Sequence, residues 1–140
     1  AFTELAAGEG TVAGSVRESG FSAETLVLIA ILALLKTGLT EEILFRGLIA
    51  KRLINALGFR AGNAAQAVIF GGVHLAIFLI PGGPAFTWAL GAVVLLVPGA
   101  AGWLMGFANE RLGNGSIAPG WLIHGFGNAI SYPVLAFLAA

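Results

Sequence analysis

From Ser22 onward the chain is a succession of apolar stretches, each about as long as a bilayer core is thick, parted by short turns. That pattern decides the solvent before any motif is read. In lipid every backbone N–H and C=O must be satisfied within the chain, and stretches of this length achieve it as helices. Composition agrees: 58% of the 140 residues are hydrophobic, 10% are charged, and mean hydropathy is +0.94. A water-facing domain carries about 25% charged residues, so the polar surface such a domain needs is missing. Net charge is zero with no basic or acidic block, which leaves no feature that would attract nucleic acid. There is no cysteine, which excludes a thiol nucleophile, disulfides and thiolate metal sites.

The expected fold is all-α: an integral membrane helical bundle of about four transmembrane helices, the first long and the third kinked. Residues 1–21 form a polar N-terminal segment with Glu4, Glu9, Arg17 and Glu18, read as a tail or a surface-lying stretch. The chain opens on Ala1 with no basic region ahead of a short apolar core, so it reads as neither a signal peptide nor a complete gene product. Residues 22–140 form the transmembrane domain. Ser22 and Glu24 mark a helix start, and the pattern runs to Leu57, roughly 50 Å if unbroken. Such a helix either tilts and protrudes or bends near Gly38 and Thr40. Gly58 to Gly62 is a turn, Asn63 to Ile80 the second span, and Pro81 to Pro84 its stop. The third span, about Ala85 to Asn109, contains Pro98 and Gly99; after the turn at Leu112 to Gly115, the fourth begins at Ser116. The connections after spans one and three carry Lys51, Arg52, Arg60 and Arg111, which places them in the cytoplasm and the chain in an inner-membrane type of setting.

A bilayer penalises ionisable side chains by several kcal/mol, so those that persist face a cavity or a partner. Here they form three groups: Glu41, Glu42 and Arg46; Phe70 and His74; His124 and Asn128. Within each group the key pair is four residues apart and shares one helix face. Counting at about 1.5 Å per residue, Glu41, His74 and Asn128 lie at a similar depth, roughly 20 to 25 Å from the cytoplasmic ends. Neighbouring glycines (Gly47, Gly71, Gly72, Gly125, Gly127) permit close helix approach or room for a substrate backbone.

Peptide hydrolysis needs an activated water, a proton shuttle and a stabilised oxyanion. A glutamate in an apolar cavity is a competent general base, a histidine can position the water, and histidine with an amide one turn away suits an oxyanion. Arg46 would neutralise Glu42. A serine triad lacks parts: the chain has no aspartate, and Ser15, Ser19, Ser22, Ser116 and Ser131 lie in the tail or away from both histidines, Ser131 least so. Zinc is the rival chemistry, with Glu41, His74 and His124 as its ligands, although the HExxH spacing is absent.

The ordered motifs EExxxR (Glu41, Glu42, Arg46), FxxxH (Phe70, His74) and HxxxN (His124, Asn128) resemble those of the Abi/CAAX-protease family. EEILFRGLIAKRL and ERLGNGSIAPGWLIHGFGNAI resemble its blocks as well, so the likeness covers about residues 38 to 133. The resemblance implies an intramembrane endopeptidase in which Glu41 and His74 activate water and His124 and Asn128 stabilise the oxyanion. Glu42 and Arg46 would support the site and Phe70 shape its wall. The family carries both a metalloprotease label and a metal-free glutamate mechanism, so the metal question stays open. The implied partners are membrane lipid and a peptide or membrane-protein substrate.

A second reading has another character: a non-catalytic membrane subunit that keeps the fold and binds a partner complex or a lipophilic cofactor. Four spans, where family members usually have six or more, and ten Phe with three Trp support it, with partner subunits completing the bundle. A channel would want more polar residues along its length than one layer supplies.

Overall fold

The computed structural model describes residues 12–20, 22–81 and 83–138, and their regular structure is entirely helical. Five helices follow in chain order. Helix α1 is Val12–Ser19. Helix α2 covers residues 23–57 and opens on the expected cap, with Ser22 Oγ accepting from the Thr25 N–H at 3.2 Å. Helical hydrogen bonding continues to His74, but Gly58, at φ 76° and ψ 165°, takes a conformation closed to side chains and ends α2. Helix α3 (residues 59–74) then runs on as a 3₁₀ stretch, Leu75–Leu79. Helix α4 is Trp88–Leu112, capped by Thr87 Oγ1 accepting from the Leu90 N–H at 3.2 Å. Helix α5 covers residues 118–138.

Among the described residues two helical segments are long and apolar enough to cross a membrane: Ala23–Leu79, which contains the Gly58 reversal, and Trp88–Leu112. Helix α4 passes through Pro98 as one element. In α2 the turns widen to π-helical winding over Ile31–Leu39 and again over Ile43–Ala50, on either side of the single α-turn Thr40–Glu42. Local π winding recurs at functional sites because it re-aims the side chains around it.

The chain divides into two compact units, residues 1–40 with 122–140, and residues 41–121. In the first, α1 packs through Val16 against Ile29 of α2 and Ala136 of α5, with Ala129 and Tyr132 beside them. Residues 12–19, read from sequence as part of a tail or a surface-lying stretch, form a helix packed through Val16; residues 1–11 and Phe21 lie outside the described part. Val16 explains the difference. It is the strongest apolar residue in the middle of a weakly polar stretch, and its partners are remote in sequence.

In the second unit, α3 and α4 make the most extensive contact. Gly71 permits it: a Cβ there would run into the Leu95 carbonyl oxygen and lie 3.2 Å from Gly99 Cα. Beside apolar clusters such as Phe45, Phe70 and Met105, the buried interior holds several large polar side chains. Among the largest fully buried side chains, Arg46, Gln66, Glu42, Asn63, Asn109 and Thr25 are polar and Val16 alone is apolar. Outward-facing positions hold Leu44, Leu48, Val68, Val73, Leu96, Val97 and Leu104. Polar groups gathered inside and aliphatic groups outside is the arrangement that a hydrocarbon solvent selects.

Candidate active site

Glu41 and Glu42 are consecutive, so about 100° of helical rotation separates their side chains and the two carboxylates face different surroundings. Glu42 is fully buried and turns to Arg46 one helical turn on, with Oε1 2.8 Å from Arg46 Nη1. The guanidinium lies over the face of Phe70, its Cζ 4.0 Å from the ring centroid. Gly102 of α4 leaves the space for this, since a Cβ there would lie 2.9 Å from Phe70 Cδ1 and 3.0 Å from Arg46 Nη2. Phe70 in turn meets Phe45 and His74 edge to face, each at 4.9 Å between centroids.

Glu41 takes the other direction. With Phe45, Val73 and His74 it lines a cavity of about 240 Å³. His74 Nδ1 is 2.7 Å from the Phe70 carbonyl oxygen, one turn back on the same helix. A carbonyl only accepts, so Nδ1 carries a proton and Nε2 is the ring nitrogen left to act as an acceptor or donor. The cavity thus holds one carboxylate and one histidine between apolar walls. The spacing-four pairs read from sequence, Glu42–Arg46 and Phe70–His74, are contacts in the structure.

One participant escaped the sequence reading. Asn109, at the end of α4, is 1% exposed; its Nδ2 donates to Glu42 Oε2 at 3.4 Å, and its Oδ1 accepts from the Gly120 N–H at 2.6 Å. Its one sequence signal was an amide closing an apolar span just before the charged pair Glu110 and Arg111. A second buried amide pair also went unread. Gln66 Nε2 donates to Asn63 Oδ1 at 2.8 Å and to the Gly102 carbonyl at 2.9 Å, while Asn63 Nδ2 donates to the Trp103 carbonyl at 3.0 Å. This clasp joins α3 to α4.

His124 and Asn128 belong to the other unit, on α5. Gly125 lies between them, and a Cβ there would lie 3.3 Å from Leu34 Cα, so α5 and α2 meet backbone to backbone at this level. Both side chains are half-buried. Asn128 Nδ2 is buried without a hydrogen-bond partner among the described residues. Ser131 Oγ donates to the Asn128 carbonyl at 3.3 Å.

Of the three zinc ligands read from the sequence, the second unit by itself supplies Glu41 and His74, and His124 belongs to the first unit. Glu41 and His74 are two donors, Glu42 is committed to Arg46, and a catalytic zinc takes three protein ligands. Among the described residues no three His, Asp or Glu side chains come together in a group suited to a metal ion.

Comparison with known proteins gives one match. The profile described as Type II CAAX prenyl endopeptidase Rce1-like matches residues 23–130, well over half of the chain. No curated protein and no solved structure matches. The matched span includes all seven residues singled out in the sequence, and the chain is a membrane protein belonging to the Rce1-like family of type II CAAX prenyl endopeptidases.

Proposed function

We propose that the chain is an intramembrane endopeptidase that hydrolyses a peptide bond with a water activated by Glu41 and His74. The observation that carries this reading is the cavity shared by these two side chains, which come from different helices. A water there gives one proton to the Glu41 carboxylate and directs the other at His74 Nε2 acting as acceptor. Its oxygen then attacks the peptide carbonyl. Glu41 returns the proton to the departing amine nitrogen, so that the carboxylate is regenerated. His124 and Asn128 are the oxyanion donors in this proposal, a role that rests on the motif resemblance and is separately testable. The family points to a peptide near a lipidated C-terminus as the substrate class. The apolar walls, Phe45 and Val73, suit aliphatic side chains beside the scissile bond.

The test is cleavage of a membrane-anchored, C-terminally prenylated peptide by the purified protein in lipid. Glu41→Gln and His74→Ala each lower kcat by about a hundredfold or more, with unchanged folding, and chelators leave the wild-type rate intact. Cleavage retained by both variants sinks the reading and leaves the partner-binding alternative in its place.

A further inference from the structure

We propose that Arg111 and the aromatic side chains beneath it form a binding site for one anionic phospholipid, the arginine taking the phosphate and the rings the acyl chains. The site lies wholly within the second unit and shares no residue with the Glu41–His74 cavity, so it stands or falls independently of the endopeptidase reading.

Charge prepares the site. The end of the second unit formed by the α2–α3 and α4–α5 turns carries Lys51, Arg52, Arg60 and Arg111, with Glu110 as its single acidic residue. Lys51 takes that carboxylate at 2.5 Å and gives a second hydrogen bond to the Gly115 carbonyl at 2.8 Å. The three arginines are left uncompensated at this end. Arg111 is exposed and makes no hydrogen bond or ion pair among the described residues. Basic residues at the edge of an apolar bundle attract anionic headgroups.

Shape then singles out Arg111. Trp103, Phe107 and Arg111 follow one another at four-residue steps along α4, so they form one stripe that rises about 6 Å per step. All three are exposed. The Trp103 and Phe107 rings are stacked, 5.7 Å apart between centroids and 14° between planes. Phe59, the first residue of α3, joins them with its ring centroid 6.3 Å from that of Phe107. Arg111 lies over Phe59, its Cζ 4.2 Å from the ring centroid. One face of the guanidinium is thus covered, and its N–H edges remain for an anion. A phosphate presents pairs of oxygens that match this planar fork. Because the ring already holds the guanidinium, less side-chain freedom is lost on binding.

The order of the stripe picks out the occupant. Toward the end of α4 it reads two aromatic rings and then a cation, with Leu104 exposed beside them. A phospholipid carries the matching order along the same direction, apolar chains and then a phosphate. Inorganic phosphate would use only the last element of the stripe. Phosphatidylcholine compensates its phosphate with its own ammonium group, so uncompensated arginines favour a lipid of net negative charge.

Fluorescence of Trp103 tests this. With Trp88→Phe and Trp121→Phe, Trp103 is the single tryptophan, and the protein is placed in phosphatidylcholine bilayers containing a minor fraction of phosphatidylglycerol brominated in its acyl chains. The apparent affinity read from quenching is expected to exceed that of brominated phosphatidylcholine by about fivefold. Arg111→Gln removes most of this preference, and Phe59→Leu lowers it by about twofold although no charge changes. Arg52→Gln removes a charge from the same end but not from the stripe, and leaves most of the preference in place. Equal quenching by the two brominated lipids overturns the proposal. Equal losses in Arg111→Gln and Arg52→Gln do so too, since they reduce the preference to diffuse attraction. Excess inorganic phosphate leaves the quenching unchanged; displacement by it would make this a free-phosphate site and overturn the lipid assignment. If the single-tryptophan protein fails to fold, thermal unfolding of the otherwise unaltered chain carries the test. Phosphatidylglycerol added to phosphatidylcholine bilayers then raises Tm, and by less in Arg111→Gln than in Arg52→Gln. No rise, or the same rise in both variants, overturns the proposal.

Discussion

Glu42 and Arg46 form a buried ion pair in the second unit. Both are essentially inaccessible, and each ion gives up several kcal/mol of hydration on burial. Arg46 recovers this from an ion pair with one carboxylate and from one aromatic face; none of its three guanidinium nitrogens makes a hydrogen bond of good geometry among the described residues. Removing one member strands the other, so Glu42→Leu or Arg46→Leu is expected to cost about 3–5 kcal/mol in unfolding of the lipid-reconstituted protein. The double replacement is expected to cost less than the sum of the two, because no unpaired charge remains. A cost equal to the sum would show that the pair is not coupled. The pairing was legible from the four-residue spacing, which puts Glu42 and Arg46 on one helix face whatever surrounds them. Asn109 was not legible, because its partners are 67 and 11 residues away and no local period connects them.

At the scale of elements, shape matters more than charge. Gly71 and Gly72 are neighbours on α3 with opposite surroundings. A Cβ on Gly71 would run into the Leu95 carbonyl of α4, while a Cβ on Gly72 would meet nothing within 4 Å. Gly71→Ala should therefore separate α3 from α4 and destabilise by about 1–3 kcal/mol, as overpacking does. Gly72→Ala should be neutral or stabilising by up to about 1 kcal/mol, since alanine is the better helix former. Thermal unfolding of the two variants side by side checks this, and equal effects would remove the close approach as an explanation. The sequence singled out both glycines as a pair but had no means of telling them apart. The helix start at Ser22 follows from a local hydrogen bond and was readable; the third span was read from about Ala85, and its helix begins at Trp88 behind the Thr87 cap. Helix α1 was not readable, because its burial depends on Ile29 and Ala136.

For the molecule as a whole, lipid is the organising solvent. Helix α4 carries its charges at one end, Glu110 and Arg111, where Arg111 lies 4.2 Å over Phe59 and Lys51 pairs with Glu110. The other end of the α3–α4 hairpin is uncharged and aromatic, with Phe78, Phe86 and Trp88 in edge-to-face contact and Trp88 87% exposed. An amphipathic aromatic cluster of this kind belongs at a membrane interface. We propose that the basic end is cytoplasmic, as the charge asymmetry favours. The chain has no cysteine, so single replacements test this directly. Asn55→Cys and Asn114→Cys should react with an impermeant maleimide applied from the cytoplasmic side, and Ala85→Cys should react only from the opposite side. Inverted labelling would reverse the assignment.

The sequence by itself determined the solvent and the helical class, and it singled out the few polar residues placed within apolar spans. Hydropathy, caps and four-residue spacings are local properties, and a membrane leaves few polar residues to choose among. Only the tertiary structure decided which way each of them points. It sends Glu41 to a cavity with His74 and Glu42 inward to Arg46, and it recruits Asn109 to the same carboxylate. A helix with a given polar face can pack at many rotations. The one adopted is selected by where glycines such as Gly71, Gly102 and Gly120 let backbones and large side chains close in, and that depends on residues far apart in the chain.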